Sequence, residues 1–183
     1  MDFPFQSSWT LFLDRDGVIN QRIFGGYVSS PETFHFEDGV PKAISILREH
    51  FKRIVVVTNQ QCIAKNIVTE RNLNEIHRYM QDQLKKASTF VDGIYFAPEL
   101  ANDPNNTRKP KPFMAIQAQK DFPEIDFEKS VMVGDTDSDL TFGENLGMKT
   151  VLIRSNEKTQ KHGTWEFDSL HAFAQELLKR KNA

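Results

Sequence analysis

The sequence predicts an α/β fold in three layers, with a parallel sheet carrying helices on both faces. Three observations carry that prediction. Five short apolar runs, rich in β-branched or aromatic residues, read as strands buried on both sides. Segments with helical spacing lie between them. The two kinds of segment alternate, which calls for right-handed crossovers between parallel neighbours.

Taken in order, residues 10–14 (TLFLD) form the first strand. Val40, Ala43, Ile44 and Leu47 recur at i, i+3, i+4 and i+7 and mark the first helix. Residues 53–58 (RIVVVT) are the second strand, and Leu73, Ile76, Met80 and Leu84 mark the second helix. Residues 93–97 (GIYFA) are the third strand. Phe113, Ile116 and Lys120 mark a third helix, with Pro112 as a first-turn proline. Residues 130–134 (SVMVG) precede a short helix over 140–146, and residues 149–153 (KTVLI) form the fifth strand. Leu170, Phe173, Leu177 and Leu178 mark a C-terminal helix. Trp9, Trp165 and most phenylalanines are expected in the core.

Bulk properties narrow the function. A chain of 183 residues suits one domain with a substantial core, and no repeat, low-complexity tract or long linker divides 1–183. With 39% hydrophobic and 26% charged residues it reads as globular and soluble. A net charge of −2 argues against a nucleic-acid partner. The lone Cys62 excludes an internal disulfide and a zinc site built from several cysteines. No apolar run approaches the roughly 18 residues of a membrane span. The N-terminal MDFPFQSSWT lacks a basic flank and an apolar stretch, so neither membrane nor leader is expected, and the expected location is cytoplasmic. A monomer is expected.

In parallel α/β sheets, ligands bind outside the carboxyl ends of the strands. The first strand ends in Asp14-Arg15-Asp16-Gly17, the second in Thr58-Asn59-Gln60, and the fourth in Gly134-Asp135-Thr136-Asp137-Ser138-Asp139. After the third comes PELANDPNNTRKPKP, with Arg108, Lys109 and Lys111. Each stretch alone fits ordinary turn or helix-cap chemistry. The acidic run does not fit an EF-hand, since Leu140 stands where glycine is needed and Leu146 where glutamate is. Four such ends at one edge of one sheet point to a shared site. Carboxylates gathered there repel, by about 4 kcal/mol for two charges at 4 Å in an effective dielectric of 20. A hard cation offsets this, and Mg²⁺ suits one or two carboxylates plus a phosphate. Lys109 offers a further point charge, and Thr58 a hydroxyl. Without a GxxxxGK[ST] loop, a nucleotide-driven P-loop mechanism is not expected.

These residues resemble the four motifs of the haloacid dehalogenase (HAD) superfamily: DRDG, Thr58, Lys109, and Gly134-Asp135 with Asp139. LFLDRDGVIN, GGYV (25–28), VVVTNQ followed by IA, DGIYFAPE, RKPKP and VMVGDTDSDL resemble subfamily IIIA, the branch of heptose bisphosphate and histidinol-phosphate phosphatases. The resemblance covers roughly residues 9–154. It implies a HAD-like, Rossmann-like sheet and a Mg²⁺-dependent phosphatase. Asp14 would be the nucleophile, Asp16 the acid and base, and Thr58 and Lys109 the phosphoryl partners. Asp14, the Asp16 carbonyl and Asp135 would hold Mg²⁺, with Asp139 behind them. Asn59, Gln60 and Arg108 would bind substrate. The stretches 14–58 and 58–109 leave no room for a cap domain beside their helices, so an open site shaped by loops 21–30, 60–68 and 98–112 is expected.

The chain departs from the family in two places. Many relatives bind zinc in the loop before RKP, but 97–107 here contain no Cys or His, so zinc is not expected and prolines and asparagine turns must shape the loop. Cys62 stands where glycine is common and reads as a small buried residue. The five histidines show no ligand spacing, and Lys111 reads as a solvated lysine. The leading substrate expectation is a small phosphosugar, heptose 1,7-bisphosphate cleaved at its 7-phosphate. The alternatives are histidinol phosphate, a nucleic-acid 3′-phosphate, and a non-catalytic module that only binds a phosphorylated ligand.

Overall fold

The computed structural model describes residue 3 and residues 7–181. Residues 1, 2 and 4–6 of the stretch read above for a leader lie outside the described residues, as do 182 and 183. The strands are β1 (Thr10–Leu13), β2 (Arg53–Asn59), β3 (Gly93–Ala97), β4 (Ser130–Gly134), β5 (Lys149–Ile153) and β6 (Trp165–Phe167). All pairings are parallel, in the order β3-β2-β1-β4-β5-β6. The helices are α1 (Val40–Arg48), α2 (Glu70–Lys86), α3 (Phe113–Asp121), α4 (Asp137–Asn145) and α5 (Leu170–Lys181).

Strand periodicity splits the core in two. Leu11 and Leu13, Ile54 and Val56, and Val131 and Val133 pack with Val40, Ile44, Ile76, Met80 and Phe173 from α1, α2 and α5. The alternate residues Phe12, Val55, Val57 and Met132 pack with Met114, Ala115, Ala118 and Phe142 from α3 and α4. Both faces of the sheet are therefore covered by apolar surface, which explains the unbroken hydrophobic runs of the central strands. Trp9 and Trp165 are buried, as expected.

Three details differ from the sequence expectation. A sixth strand, β6, extends the sheet; its three residues Trp-Glu-Phe are too short to show a period. In α3 the buried stripe is Met114, Ala115 and Ala118, whereas Phe113 and Ile116 are 52% and 39% exposed and Lys120 is exposed as well. Small alanines let the helix approach the sheet closely, and the larger side chains turn outward. Pro112 sits at the N-cap of α3 rather than inside its first turn.

From β1 the chain builds β2 and β3 to one side, then returns to build β4, β5 and β6 on the other. This reversal opens a crevice at the carboxyl ends of β1 and β4. The Asp14 N–H donates to the Val133 carbonyl at 2.9 Å, so the ends of β1 and β4 stay together. Among the described residues, the segments 14–39 and 60–69 hold only loops and one short 3-10 turn, Pro31–Thr33. No cap domain is inserted there.

Candidate active site

Asp14 emerges from β1 and Asp135 from β4, side by side at the switch point. Asp139 lies in the first turn of α4, where its Oδ2 accepts from the Thr136 N–H at 3.0 Å and hydroxyl at 2.6 Å. This capping box satisfies the helix start and fixes the carboxylate. A Cβ on Gly134 would lie 2.1 Å from the Asp139 Cβ, so only glycine lets α4 begin so close to β4. Asp14, Asp135 and Asp139 are all buried, and each offers an oxygen within 4.8 Å of the others.

Lys109 enters this group from the loop before α3. Its Nζ lies 2.7 Å from Asp14 Oδ1 and 2.6 Å from Asp139 Oδ1, and donates to the Val57 carbonyl at 2.7 Å. The ammonium thus donates to Asp14 and Val57 and forms an ion pair with Asp139. Asn59 clamps the lysine's backbone: its Oδ1 accepts from the Lys109 N–H at 2.9 Å, and its Nδ2 donates to the Lys109 carbonyl at 3.3 Å. Burial opposes the ammonium charge, but Asp139 and Asp14 outweigh it and raise the Lys109 pKa.

Asp16 is held differently. Arg15 Nη2 donates to both its oxygens at 3.0 and 3.1 Å, Asn20 Nδ2 to Oδ1 at 3.0 Å and Gln60 Nε2 to Oδ2 at 2.8 Å. Burial alone would raise the Asp16 pKa; Arg15, Asn20 and Gln60 lower it overall. Gln60 Nε2 also donates to Thr58 Oγ1 at 2.8 Å. The amides of Asn59 and Gln60, expected from the sequence to bind substrate, are therefore turned onto Lys109, Asp16 and Thr58. Behind Asp16, Arg15 Nη1 lies 3.1 Å from His77 Nε2 on α2. His77 is buried and its pKa is pushed down to about 3, first by burial and then by Arg15.

Arg22 was not singled out from the sequence. Its Nη2 lies 2.7 Å from Asp135 Oδ1, 2.7 Å from the Asp16 carbonyl and 3.9 Å from Asp14 Oδ2. Burial works against the guanidinium, but Asp135 more than offsets it and the Arg22 pKa rises. One signal was available in the sequence: Lys109 alone leaves the gathered carboxylates with net negative charge. Arg108 donates to the Glu99 carbonyl at 3.2 Å and lines the crevice.

The loop over 98–112 is built by local polar contacts. Glu99 accepts from the Thr107 hydroxyl at 3.0 Å, and Asp103 Oδ1 from the Asn105 N–H at 2.8 Å. Lys111 is not simply solvated, because its Nζ donates to the carbonyls of Asn106 and Pro104 at 2.8 and 3.2 Å. Cys62 is fully buried against Val68 and Leu73. Asp14, Asp16, Thr58, Lys109 and Asp139 open into a crevice of about 800 Å³ that also touches Phe24, Tyr27, Lys65 and Lys158.

The donor set fits a hard cation. It is all oxygen, and burial lifts Asp14 to about 7 and Asp135 to about 6 against the opposing pull of Lys109 and Arg22, so ionising the gathered carboxylates calls for more positive charge than these two side chains supply. Such a sheet, with acidic β1 and β4 ends and a buried lysine between them, defines a HAD-like hydrolase. A family model described as HAD-hydrolase-like matches residues 106–177. The D-glycero-D-manno-heptose-1,7-bisphosphate 7-phosphatase of Chlorobaculum tepidum is 39% identical over 166 residues, covering 85% of this chain and 83% of its own. The D-glycero-beta-D-manno-heptose-1,7-bisphosphate 7-phosphatase of Vibrio cholerae is 34% identical over 93% of this chain and 97% of its own. A D,D-heptose 1,7-bisphosphate phosphatase structure from B. bronchiseptica, complexed with magnesium and phosphate, superposes with a TM-score of 0.84 at 29% identity, over 94% of this chain and 99% of that one. The chain belongs to this heptose bisphosphate phosphatase family of HAD-like phosphatases. Among the described residues no helix is long and apolar enough to cross a membrane.

Proposed function

We propose that this phosphatase is Mg²⁺-dependent and removes the 7-phosphate of a heptose 1,7-bisphosphate through an aspartyl-phosphate on Asp14. The observation that carries the reading is the gathering of Asp14, Asp135 and Asp139 within 4.8 Å of one another, with the buried Lys109 paired to Asp14 and Asp139. Mg²⁺ would be held by the carboxylates of Asp14 and Asp135 and the Asp16 carbonyl, and would supply charge neutralisation and polarisation of a phosphoryl oxygen. The 39% identity to the C. tepidum enzyme supports the substrate. So does the large crevice, which carries the further cations Lys65, Arg108 and Lys158 for a second phosphate.

In this reading an Asp14 oxygen attacks phosphorus, and the bond from phosphorus to the C7 oxygen breaks. Asp16 gives its proton to the departing alkoxide. Its surroundings favour the ionised form in the free enzyme, and the arriving phosphate dianion shifts the balance toward the acid. Asp16 then takes a proton from the water that attacks the aspartyl-phosphate, which frees phosphate and regenerates Asp14. Thr58 binds the phosphoryl oxygens. Lys109 neutralises them and holds Asp14 in line, with Asp139 and Asn59 positioning the lysine. Gln60 positions Asp16, and Arg108 grips the substrate with its planar fork. Residues 1–183 act as one phosphatase domain in this scheme.

Phosphate release is measured from heptose 1,7-bisphosphate, histidinol phosphate, an aryl phosphate and a 3′-phosphorylated oligonucleotide, with and without Mg²⁺. The heptose bisphosphate is expected to have the highest kcat/KM. Asp14→Asn is expected to lose about 10³-fold or more, since a covalent nucleophile has no substitute. Faster release from histidinol phosphate or the oligonucleotide would reassign the substrate. Equal release by Asp14→Asn would end the covalent scheme.

A further inference from the structure

We propose, building on the magnesium reading above, that Arg22 is a resident counter-cation of the metal cradle. It occupies the divalent-ion position in the metal-free enzyme, and metal binding displaces it together with the loop that carries it.

A single nitrogen, Arg22 Nη2, faces the three oxygens assigned to the metal. It lies 2.7 Å from Asp135 Oδ1, 2.7 Å from the Asp16 carbonyl and 3.9 Å from Asp14 Oδ2. Arg22 Nε adds a contact of 3.3 Å to Asp135 Oδ2, so the fork engages both oxygens of that carboxylate. The cradle has no slack on this side. A Cβ on Gly17 would lie 2.2 Å from Asp135 Oδ2 and 3.3 Å from Arg22 Nε. A guanidinium and a doubly charged ion cannot share these oxygens, so the two cations are competitors.

Arg22 is built to leave. Its side chain is 25% exposed, against 2% for Lys109. Its neighbours Ile23 and Phe24 are 41% and 58% exposed, so moving this part of the loop gives up little packing. Gly25 and Gly26 follow, and a Cβ on Gly25 would meet nothing within 4 Å. A second acidic partner stands at the mouth: Glu157 Oε1 lies 3.5 Å from Arg22 Nε, and Glu157 is exposed enough to follow it outward. Lys109, with its three partners, stays in place throughout.

Two consequences follow by linkage. Metal affinity is set by the difference between what the ion gains and what releasing Arg22 costs. Residues 22–28 also line the substrate crevice, so metal loading and the shape of that wall change together.

Mn²⁺, visible by EPR, serves as the probe on the full chain. Wild type, Arg22→Gln and Arg22→Lys are titrated, and metal-free and Mn²⁺-saturated melting temperatures are recorded for each. Arg22→Gln is expected to bind Mn²⁺ at least about fivefold more tightly, the lower end of ordinary site coupling. Its metal-free Tm falls and its Tm gain on Mn²⁺ grows. Arg22→Lys, which keeps charge but loses the fork, falls between. Hydrogen exchange on the wild type needs no variant to fold: amides 21–26 are expected to exchange faster once Mn²⁺ is bound. Unchanged or weaker Mn²⁺ binding in folded Arg22→Gln, or loop exchange unmoved by Mn²⁺, overturns the competition while leaving the metal site standing. No Mn²⁺ binding by the wild type overturns both.

Discussion

Lys109 and Arg22 neutralise neighbouring carboxylates of one crevice, and they are held in opposite ways. Lys109 is almost fully buried and surrounded by Asp14, Asp139 and the Val57 carbonyl, and Asn59 grips its backbone on both sides. Arg22 hangs from an irregular loop, a quarter exposed, with exposed apolar neighbours. Both carry a full charge, but only one is part of a rigid wall. A charge that must stay through every step is placed where removing it would strand buried carboxylates. A charge that must yield is placed on a segment that can swing.

Removing Lys109 is the harshest way to break this contrast. Lys109→Met leaves Asp14 and Asp139 buried without their partner, which costs about 3–5 kcal/mol in the metal-free protein. Chemical denaturation measures it, and activity is expected to fall by about 10²-fold or more. Arg22→Gln should cost much less, because solvent reaches the vacated position. Equal losses for the two variants would erase the distinction between fixed and displaceable charge.

Two glycines probe the same regions without replacing a charged residue. A Cβ at Gly134 meets Asp139 Cβ at 2.1 Å and Cγ at 2.4 Å, atoms held by the α4 backbone. Gly134→Ala is therefore expected to cost about 1–3 kcal/mol, as overpacking does, and to loosen the Lys109 side. At Gly17 the collision is with the far end of a side chain, Asp135 Oδ2 at 2.2 Å, and the backbone φ is +92°. Gly17→Ala is expected to cost about 1–2 kcal/mol in backbone strain and to turn Asp135 out of the cradle. Its mark is weakened Mn²⁺ binding with the fold retained, read by EPR and circular dichroism. A larger stability loss for Gly17→Ala than for Gly134→Ala would reverse the assignment of rigid and yielding sides.

The strand ends were legible in the sequence because parallel sheets carry their ligands there, and Asp14, Asp16, Thr58 and Asp135 all follow apolar runs. Lys109 was suggested by the charge excess at those ends, but its exact role came from resemblance, since nothing in a loop of prolines and asparagines fixes a lysine's direction. Arg22 was missed for the same reason: no period constrains a side chain on the segment 21–30. His77 could have been found. It sits four residues after Leu73 and three before Met80, on the apolar stripe of α2, where a polar residue needs a buried partner. That partner, Arg15, lies between two motif aspartates and reads there as mere charge balance. In α3 the large residues Phe113 and Ile116 suggested the wrong face, because two alanines carry the packing.

His77 offers the finest test, because it supports a third cation by a third means. Arg15 is buried like Lys109, yet beyond Asp16 it leans on a neutral imidazole. The His77 pKa is lowered from 6.5 to about 3 by burial and Arg15. Between those values the unfolded chain holds a proton that the folded chain lacks, so stability attributable to His77 is lost as pH falls from 6.5 toward 3. Asp14 and Asp135, raised from 3.8 to about 7 and about 6, act with the opposite sign in the metal-free protein and destabilise it as pH rises through that window. Total stability therefore mixes the two trends, and a difference between variants separates them. His77→Gln keeps an acceptor for Arg15 and removes the titration. Relative to wild type it is expected to gain about 1–2 kcal/mol as the pH is lowered from about 7 to about 5, measured by denaturant unfolding without metal. Parallel pH profiles for the two proteins would mean that His77 takes up its proton in the folded chain as readily as in the unfolded one, and that Arg15 does not depend on a neutral imidazole.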